Sequence, residues 1–364
     1  MISAQCALWV STWARTSQAV KLGAEVKRVQ LGELGEFGLI ELVTQDIAPG
    51  AEVIRGIGDD AAVYRVREGD WQLVTTDTLV EEVHFSLEYT TWRDLGWKAL
   101  AVNISDIAAM GGRPLYALIS LCLPVDSDVV TVQELYTGLG EVAQAFGVSL
   151  VGGDTVSGLS VVLSITLIGA VEANRAVFRS GANPGDLIIV TGTLGDSAAG
   201  LFLLQNADYD AGSEAKRRLK RAHLRPEPRV EAGRLLSATG GVTAMLDVSD
   251  GLSSDIAHIG RASQVDSLLW GENIPLSDAL RDLASALGRD PLEWALHGGE
   301  DYELLFTVTR GQADRVRDTL AASGIRSAVI GEVTAPGRGN RLEYKGRLET
   351  LPQGGFNHFR MSGK

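Results

Sequence analysis

Five aspartates of this chain stand where an unpartnered carboxylate is hard to accommodate. Asp77 directly follows Leu73-Val74-Thr75-Thr76, and Asp106 lies inside the apolar stretch Ala101-Val102-Asn103-Ile104-Ser105-Asp106-Ile107-Ala108. Asp154 closes Ser149-Leu150-Val151-Gly152-Gly153, and Asp247 and Asp250 flank Val248-Ser249 immediately after Ala244-Met245-Leu246. Burying a single unpaired carboxylate costs several kcal/mol or forces it to take a proton. Burying so many is tolerable only where cations or hydrogen-bond donors converge on them. Mg²⁺ takes rigid oxygen ligands and commonly shares its shell with substrate phosphates. Short, stiff aspartates suit that ion, and Thr75, Thr76 and Ser249 offer further oxygens. The expected fold must therefore bring several apolar segments together at their acidic ends.

The phosphate-binding signatures point the same way. The chain has no GxxxxGK[ST] stretch, so a P-loop is excluded. Gly56-Ile57-Gly58-Asp59-Asp60-Ala61 matches the relaxed dinucleotide pattern, but Asp59 and Asp60 occupy the place where a bare pyrophosphate should meet backbone N–H groups. Two carboxylates beside phosphate require a cation between them, so the segment reads as a metal loop. On spacing alone the Asp59-Asp60 pair suits a turn equally well. Taken singly, His84 reads as a surface or core histidine, Arg179 as a solvated charge, Phe356 as a core residue and Gly298-Gly299-Glu300-Asp301 as an acidic turn. No Ser-His-Asp or Cys-His arrangement stands out.

Charge and cysteine usage remove other classes. With 33 basic against 46 acidic residues the net charge is -13, which repels nucleic acid and anionic membrane surfaces. Small phosphorylated ligands stay possible through bridging cations. Two cysteines, Cys6 and Cys122, and five scattered histidines make no disulfide framework or zinc site. No apolar run reaches the roughly 18 residues of a membrane span. A soluble, cytoplasmic enzyme is the expectation.

At 364 residues about two domains are expected. Residues 1–30 lack clear periodicity and are expected to form a disordered extension outside the fold. Alternating strand and helix patterns then predict an α+β (α/β two-domain) chain, with a domain over 31–175, another over 176–350 and a tail over 351–364. The spacing predicts strands over 71–76, 115–123, 161–171, 187–191, 244–248 and 302–308. Helices are expected over 94–110, 132–146, 196–204, 227–237, 253–262 and 312–322.

In order along the chain come Gly35-Glu36-Phe37, the Gly56–Ala61 loop, Thr76-Asp77-Thr78-Leu79-Val80 with His84-Phe85, and Lys98-Ala99-Leu100-Ala101-Val102-Asn103 with Ser105-Asp106. Then follow Gly152-Gly153-Asp154-Thr155, Thr191-Gly192-Thr193-Leu194-Gly195-Asp196-Ser197, His223-Leu224-Arg225-Pro226, Asp247-Val248-Ser249-Asp250-Gly251-Leu252 and Gly298-Gly299-Glu300-Asp301-Tyr302-Glu303-Leu304. This ordered set, from about Leu31 to Phe359, closely resembles the thiamine-monophosphate kinase family. Aminoimidazole ribonucleotide synthetase and selenophosphate synthetase belong to the same superfamily.

The resemblance implies transfer of the ATP γ-phosphoryl group to thiamine phosphate, giving thiamine diphosphate and ADP. Matched motif by motif, it implies that Asp60, Thr75, Thr76, Asp77, Asp106, Asp154 and Asp247 hold several Mg²⁺ ions, with Asp250 at a further one. It places Tyr136, Gly153, Asp154, Arg179 and Ser249 at ATP, and His84, Glu300 and Phe356 at thiamine phosphate. Asp77, Asp154 and Asp250 are the implied catalytic aspartates. The implied assembly is a homodimer whose N-terminal-domain strands build a shared β-barrel, each chain adding a C-terminal α/β sandwich domain.

Within the superfamily, selenophosphate synthetase is disfavoured because the matched N-terminal region lacks a cysteine. A hydrogenase-maturation dehydratase is disfavoured because the chain ends Met361-Ser362-Gly363-Lys364, without the carbamoyl-accepting cysteine. Another ATP-dependent synthetase, a metal-dependent phosphohydrolase and an idle nucleotide sensor remain the alternatives.

Overall fold

The structure, a computed structural model, describes residues 52–67, 69–206, 209, 213–351 and 354. The expected N-terminal extension, the Gly35-Glu36-Phe37 motif and Phe356 lie outside the described residues.

Two sheets divide the described chain. The first comprises β1 (Val53–Arg55), β2 (Ala62–Arg67), β3 (Asp70–Val80), β4 (Arg113–Leu123), β5 (Ser149–Ser157) and β6 (Val162–Glu172), in the order β1-β2-β3-β6-β4-β5. Its neighbours run antiparallel except β4 and β5. Between those two, helix α2 (Val129–Phe146) carries the chain back, as a parallel pair requires. Together with α1 (Trp92–Ala109), α2 covers one face of the sheet around Leu73, Leu100, Ile104, Leu135, Leu163 and Ile165. The sheet is open: its other face presents Tyr116, Leu118 and Val156, all more than 40% exposed.

The second sheet comprises β7 (Leu187–Thr191), β8 (Val242–Asp247), β9 (Asp266–Trp270), β10 (Leu304–Val308), β11 (Ser327–Thr334), β12 (Arg341–Tyr344) and β13 (Arg347–Thr350), in the order β13-β12-β9-β11-β7-β10-β8. Only the β9–β12 pair is parallel. Both faces are covered. Ile188, Val190 and Leu246 pack with α6 (Leu252–Ser263) and α8 (Pro291–His297). Ile189, Met245 and Phe306 pack on the other side with α5 (Val230–Thr239) and α9 (Ala313–Ala322). The remaining helices, α3 (Asp196–Gln205), α4 (Glu214–Leu224) and α7 (Asp278–Leu287), form a smaller cluster around Leu203, Leu219 and Leu283. The architecture is mixed α+β.

Several boundaries differ from the sequence expectation. The strand expected over 71–76 runs on to Val80, because each residue from Asp70 to Val80 finds a partner on β6. Asp77 is therefore inside a strand and not at its end. The strand expected over 302–308 begins at Leu304, because Glu300 and Tyr302 take positive φ values of 57° and 50° that a strand does not allow.

Candidate active site

Helix α1 organises the site. Thr91 caps its start, accepting the Asp94 backbone N–H at 3.1 Å. From Leu95 onward the helix is buried nearly all round, so Lys98, Asn103 and Ser105 point into protein and not into solvent. The buried Asn103 side chain accepts the Asp77 backbone N–H at 3.2 Å and donates to the Ala99 carbonyl at 3.0 Å. Ser105, also buried, donates to the carboxylate of Asp247 at the end of β8. Asp106 accepts from the hydroxyl of Thr75 on β3. One helix thus ties β3 of the first sheet to β8 of the second.

Around it four carboxylates converge. Oxygens of Asp60, Asp106 and Asp247 lie within 4.8 Å of one another, and Asp77 is hydrogen-bonded to Asp106. One guanidinium faces the group. Arg179 donates through Nη2 and Nε to the two oxygens of Asp60 at 2.7 and 3.2 Å. Asp59 stands aside and accepts the Arg179 backbone N–H at 3.1 Å.

The carboxyls respond to this crowding. Burial, opposed by the hydrogen bond from Asp106 and reinforced by the charge of Asp60, pushes Asp77 up to about 6. Burial and Asp60 push Asp247 up to about 7. Burial, then Asp77, Asp247 and Asp60, lift Asp106 well above the ordinary carboxylate range. Four carboxyls, with one facing guanidinium among the described residues, form a donor set that a hard cation completes. Hard oxygen donors, without sulfur or imidazole, suit Mg²⁺ and not zinc.

A second constellation lies at the other end of α1. Lys98 is 1% exposed, and its ammonium is 2.7 Å from Oε1 of Glu300. His223 Nδ1 is 3.2 Å from the other oxygen of Glu300 and 3.2 Å from the Ser197 hydroxyl. Its Nε2 is 3.4 Å from the Lys98 ammonium. Burial, and secondarily the charge of Lys98, lowers His223 to about 4, so the ring is neutral at physiological pH. With its proton on Nδ1, the ring donates to Glu300 and accepts from Lys98. Burial would raise the Glu300 carboxyl, but Lys98 and then His223 hold it below its ordinary range. His84 is near enough for its charge to act on the same carboxylate.

The backbone joins the two constellations. The Glu300 N–H donates to the Ser249 carbonyl at 2.7 Å, and the Tyr302 N–H to the Val248 carbonyl at 2.9 Å. Gly299, at φ 69°, lies so close to the Ser249 carbonyl that a Cβ there would collide with it.

Not every expected site residue joins these groups. The Thr76 hydroxyl donates at 3.0 Å to the Ile165 carbonyl, on the opposite sheet face from Thr75, as strand alternation dictates. Asp154 is exposed on the edge strand β5 and accepts its neighbour Thr155 N–H at 2.9 Å. Gly153 beside it passes so close to the Ile119 carbonyl of β4 that no side chain fits. Asp250 belongs to a separate set with Asp255 and His258, whose ligand atoms lie within 4.8 Å of one another. Tyr136, on α2, lines an apolar cavity of about 350 Å³ with Leu123, Pro124, Val129 and Val132.

Sequence reasoning gave no role to Lys98, Asn103, Ser105 or His223. The first three carry the signal that singled out Asp106, a polar group within an apolar helix. His223 lacks that signal, because α4 is basic and solvent-facing around it, and stands out only as part of the His223-Leu224-Arg225-Pro226 motif.

The chain is similar to known proteins over most of its length. Residues 58–171 match the family described as AIR synthase related protein, N-terminal domain, and residues 183–342 match its C-terminal domain. The thiamine-monophosphate kinase of Bacillus subtilis (strain 168) is 39% identical over 335 residues, covering 90% of this chain and 100% of that protein. The thiamine-monophosphate kinase of Escherichia coli (strain K12) is 40% identical over 327 residues, covering 89% and 98%. A solved structure described as AaThiL complexed with AMPPCP and TMP superposes with a TM-score of 0.81 at 35% identity, covering 91% of this chain and 99% of that one.

Proposed function

We propose that this chain, which belongs to the thiamine-monophosphate kinase family of AIR synthase related proteins, transfers the γ-phosphoryl group of ATP to thiamine phosphate, forming thiamine diphosphate and ADP. The observation that carries the reading is the convergence of Asp60, Asp77, Asp106 and Asp247 from four separate segments. The relatives bear the kinase name, and the solved neighbour's description names AMPPCP and TMP, an ATP analogue and the acceptor on this reading.

The chemistry needs little proton transfer. A phosphate monoester has a second pKa of roughly 6, so the acceptor is already an anionic nucleophile near pH 7. The obstacle is repulsion between two anionic phosphates, together with in-line alignment. When bound, Mg²⁺ supplies the positive charge that screens this repulsion. Asp60, Thr75, Asp77, Asp106 and Asp247 would hold it, with Asp250 at a further ion. Thr76 and Asp154 are assigned to the metal set by their family motifs. Asp77, Asp154 and Asp250 are the proposed catalytic aspartates.

On the nucleotide side the reading takes Tyr136, Gly153, Arg179 and Ser249. The apolar cavity beside Tyr136 suits a purine, and Arg179 suits phosphate once a cation takes over Asp60. On the acceptor side it takes His84, Glu300 and Phe356, a carboxylate and an aromatic face for a cationic thiazolium.

The reading extends to organisation: domains at 31–175 and 176–350, a cytoplasmic protein, and a homodimer whose barrel forms across the open face of the first sheet. The exposed Tyr116, Leu118 and Val156 on that sheet support such a contact. No helix among the described residues is long and apolar enough to cross a membrane.

Incubation with ATP, Mg²⁺ and thiamine phosphate, followed by separation of the products, tests the activity. Thiamine diphosphate with equimolar ADP is expected. ADP with free phosphate and no thiamine diphosphate would make the chain a hydrolase, and no turnover would make it a nucleotide sensor.

A further inference from the structure

We infer that Lys98 is a positioning residue, which fixes the Glu300 carboxylate in place before the cationic acceptor arrives and so sets the affinity for that acceptor. The inference rests on the proposed function, in which Glu300 faces the thiazolium of thiamine phosphate.

The geometry is one-sided. Lys98 is 1% exposed, and its ammonium is taken up by Glu300 at 2.7 Å and by His223 Nε2 at 3.4 Å. The Glu300 side chain keeps 29% of its surface exposed, against 2% for that of Lys98. Of the two members of the ion pair, only the carboxylate is available to a ligand. Both of its oxygens are held, Oε1 by Lys98 at 2.7 Å and Oε2 by His223 at 3.2 Å, so its rotamer is set from behind. The backbone beneath it is set as well, through the Glu300 N–H bond to the Ser249 carbonyl at 2.7 Å.

A buried lysine is costly, and it persists where it does something an apolar residue could not. Here the alternative to Lys98 is a Glu300 carboxylate with one holding partner fewer, free to rotate or to take a proton. A carboxylate that must be ordered and ionised during binding gives up part of its attraction for the incoming cation, whereas a pre-ordered one keeps it. Lys98 also repels a cation through space. The sign of its net effect on acceptor affinity is therefore a real test of the inference. The other charged or titratable groups facing Glu300 are His223 from α4, His84 from the segment after β3, and Tyr302 and Tyr89, on whose hydroxyls the Glu300 charge acts.

The experiment compares wild type, Lys98→Met, Lys98→Arg, Glu300→Gln and the double variant Lys98→Met/Glu300→Gln. The readouts are KM for thiamine phosphate, KM for ATP, kcat and Tm. Lys98→Met is expected to raise KM for thiamine phosphate about tenfold, the size of a lost charge-assisted hydrogen bond. KM for ATP and kcat should stay within about twofold, and Lys98→Arg should recover most of the loss. The double variant should be no worse than Glu300→Gln alone, because the two changes remove one device. It should also melt higher than Lys98→Met, since no carboxylate is left without its cation. If Lys98→Met does not fold, the double variant decides the matter against Glu300→Gln.

An unchanged or lowered KM for thiamine phosphate in Lys98→Met would overturn the inference. So would multiplying effects in the double variant, or a parallel loss of kcat and both KM values, which marks a purely structural lysine. These failures leave thiamine diphosphate formation by the wild type intact. A wild type that makes none removes the functional reading and this inference with it.

Discussion

The two ends of helix α1 handle buried charge in opposite ways. At the Asp106 end, carboxyls from four segments face a single guanidinium among the described residues, too little positive charge to balance them. At the Lys98 end, the one carboxylate already meets a lysine and a neutral imidazole, each with a partner. The first end is completed from outside, by a cation. The second is complete before any ligand arrives. A site that must gather metal and phosphates needs an unbalanced charge, and a site that orients one cationic substrate needs a fixed one. The difference lies in how many partners the fold supplies.

If this contrast is right, substitutions at the two ends must fail differently. The largest effect is expected at the unbalanced end. Asp77→Asn and Asp247→Asn each remove a charged cation ligand, worth several kcal/mol in such reactions, so kcat should fall about 100-fold or more. Yet each also relieves repulsion in the metal-free protein, so Tm should hold or rise. A lower Tm with near-normal kcat would erase the distinction between the two ends. The Lys98 and Glu300 variants stand next, with an effect about tenfold in KM for the acceptor and little in kcat.

The smallest change concerns a neighbour that only orients. Ser105 donates to Asp247 and is fully buried. Ser105→Ala should cost about 1 kcal/mol of stability. It should raise the Mg²⁺ concentration for half-maximal rate about tenfold, as lost orienting partners of metal ligands do. Rates measured across a magnesium series check this, and a saturating rate that falls with no shift along the series would place Ser105 in the reaction itself.

Much of this contrast was written in the sequence. Asp106 stood out because an acid inside the apolar Ala101–Ala108 stretch needs a partner, and the structure half-buries it among three other carboxylates. Strand β7 was legible to the residue, because an apolar run between Asp186 and Gly192 has clear punctuation at both ends. Strand β3 was read too short, since Thr-Asp-Thr is poor local strand sequence and only the long ladder with β6 carries it. Strands β1, β2, β5, β9 and β11–β13 and helices α4, α7 and α8 were not read; β1, β12 and β13 are only three or four residues long and show too little of a pattern. The Lys98 partnership was out of reach for another reason. Glu300, His223 and Lys98 are separated by more than seventy residues each, and only the fold brings them into one cluster.

The central claim is that the carboxylates at the Asp106 end wait for a divalent cation, and proton release on Mg²⁺ binding tests it most directly. With Asp77 pushed up to about 6 and Asp247 up to about 7, both carry protons in part at pH 6 and very little at pH 8. A cation must displace those protons to bind. Titration calorimetry with Mg²⁺ in buffers of different ionisation enthalpy counts them. Net proton release is expected at pH 6 and is weaker in Asp77→Asn; at pH 8 it falls to what the more strongly raised Asp106 still gives up, and binding should be tighter. Mg²⁺ that binds at pH 6 without releasing protons, or as tightly at pH 6 as at pH 8, would contradict the account.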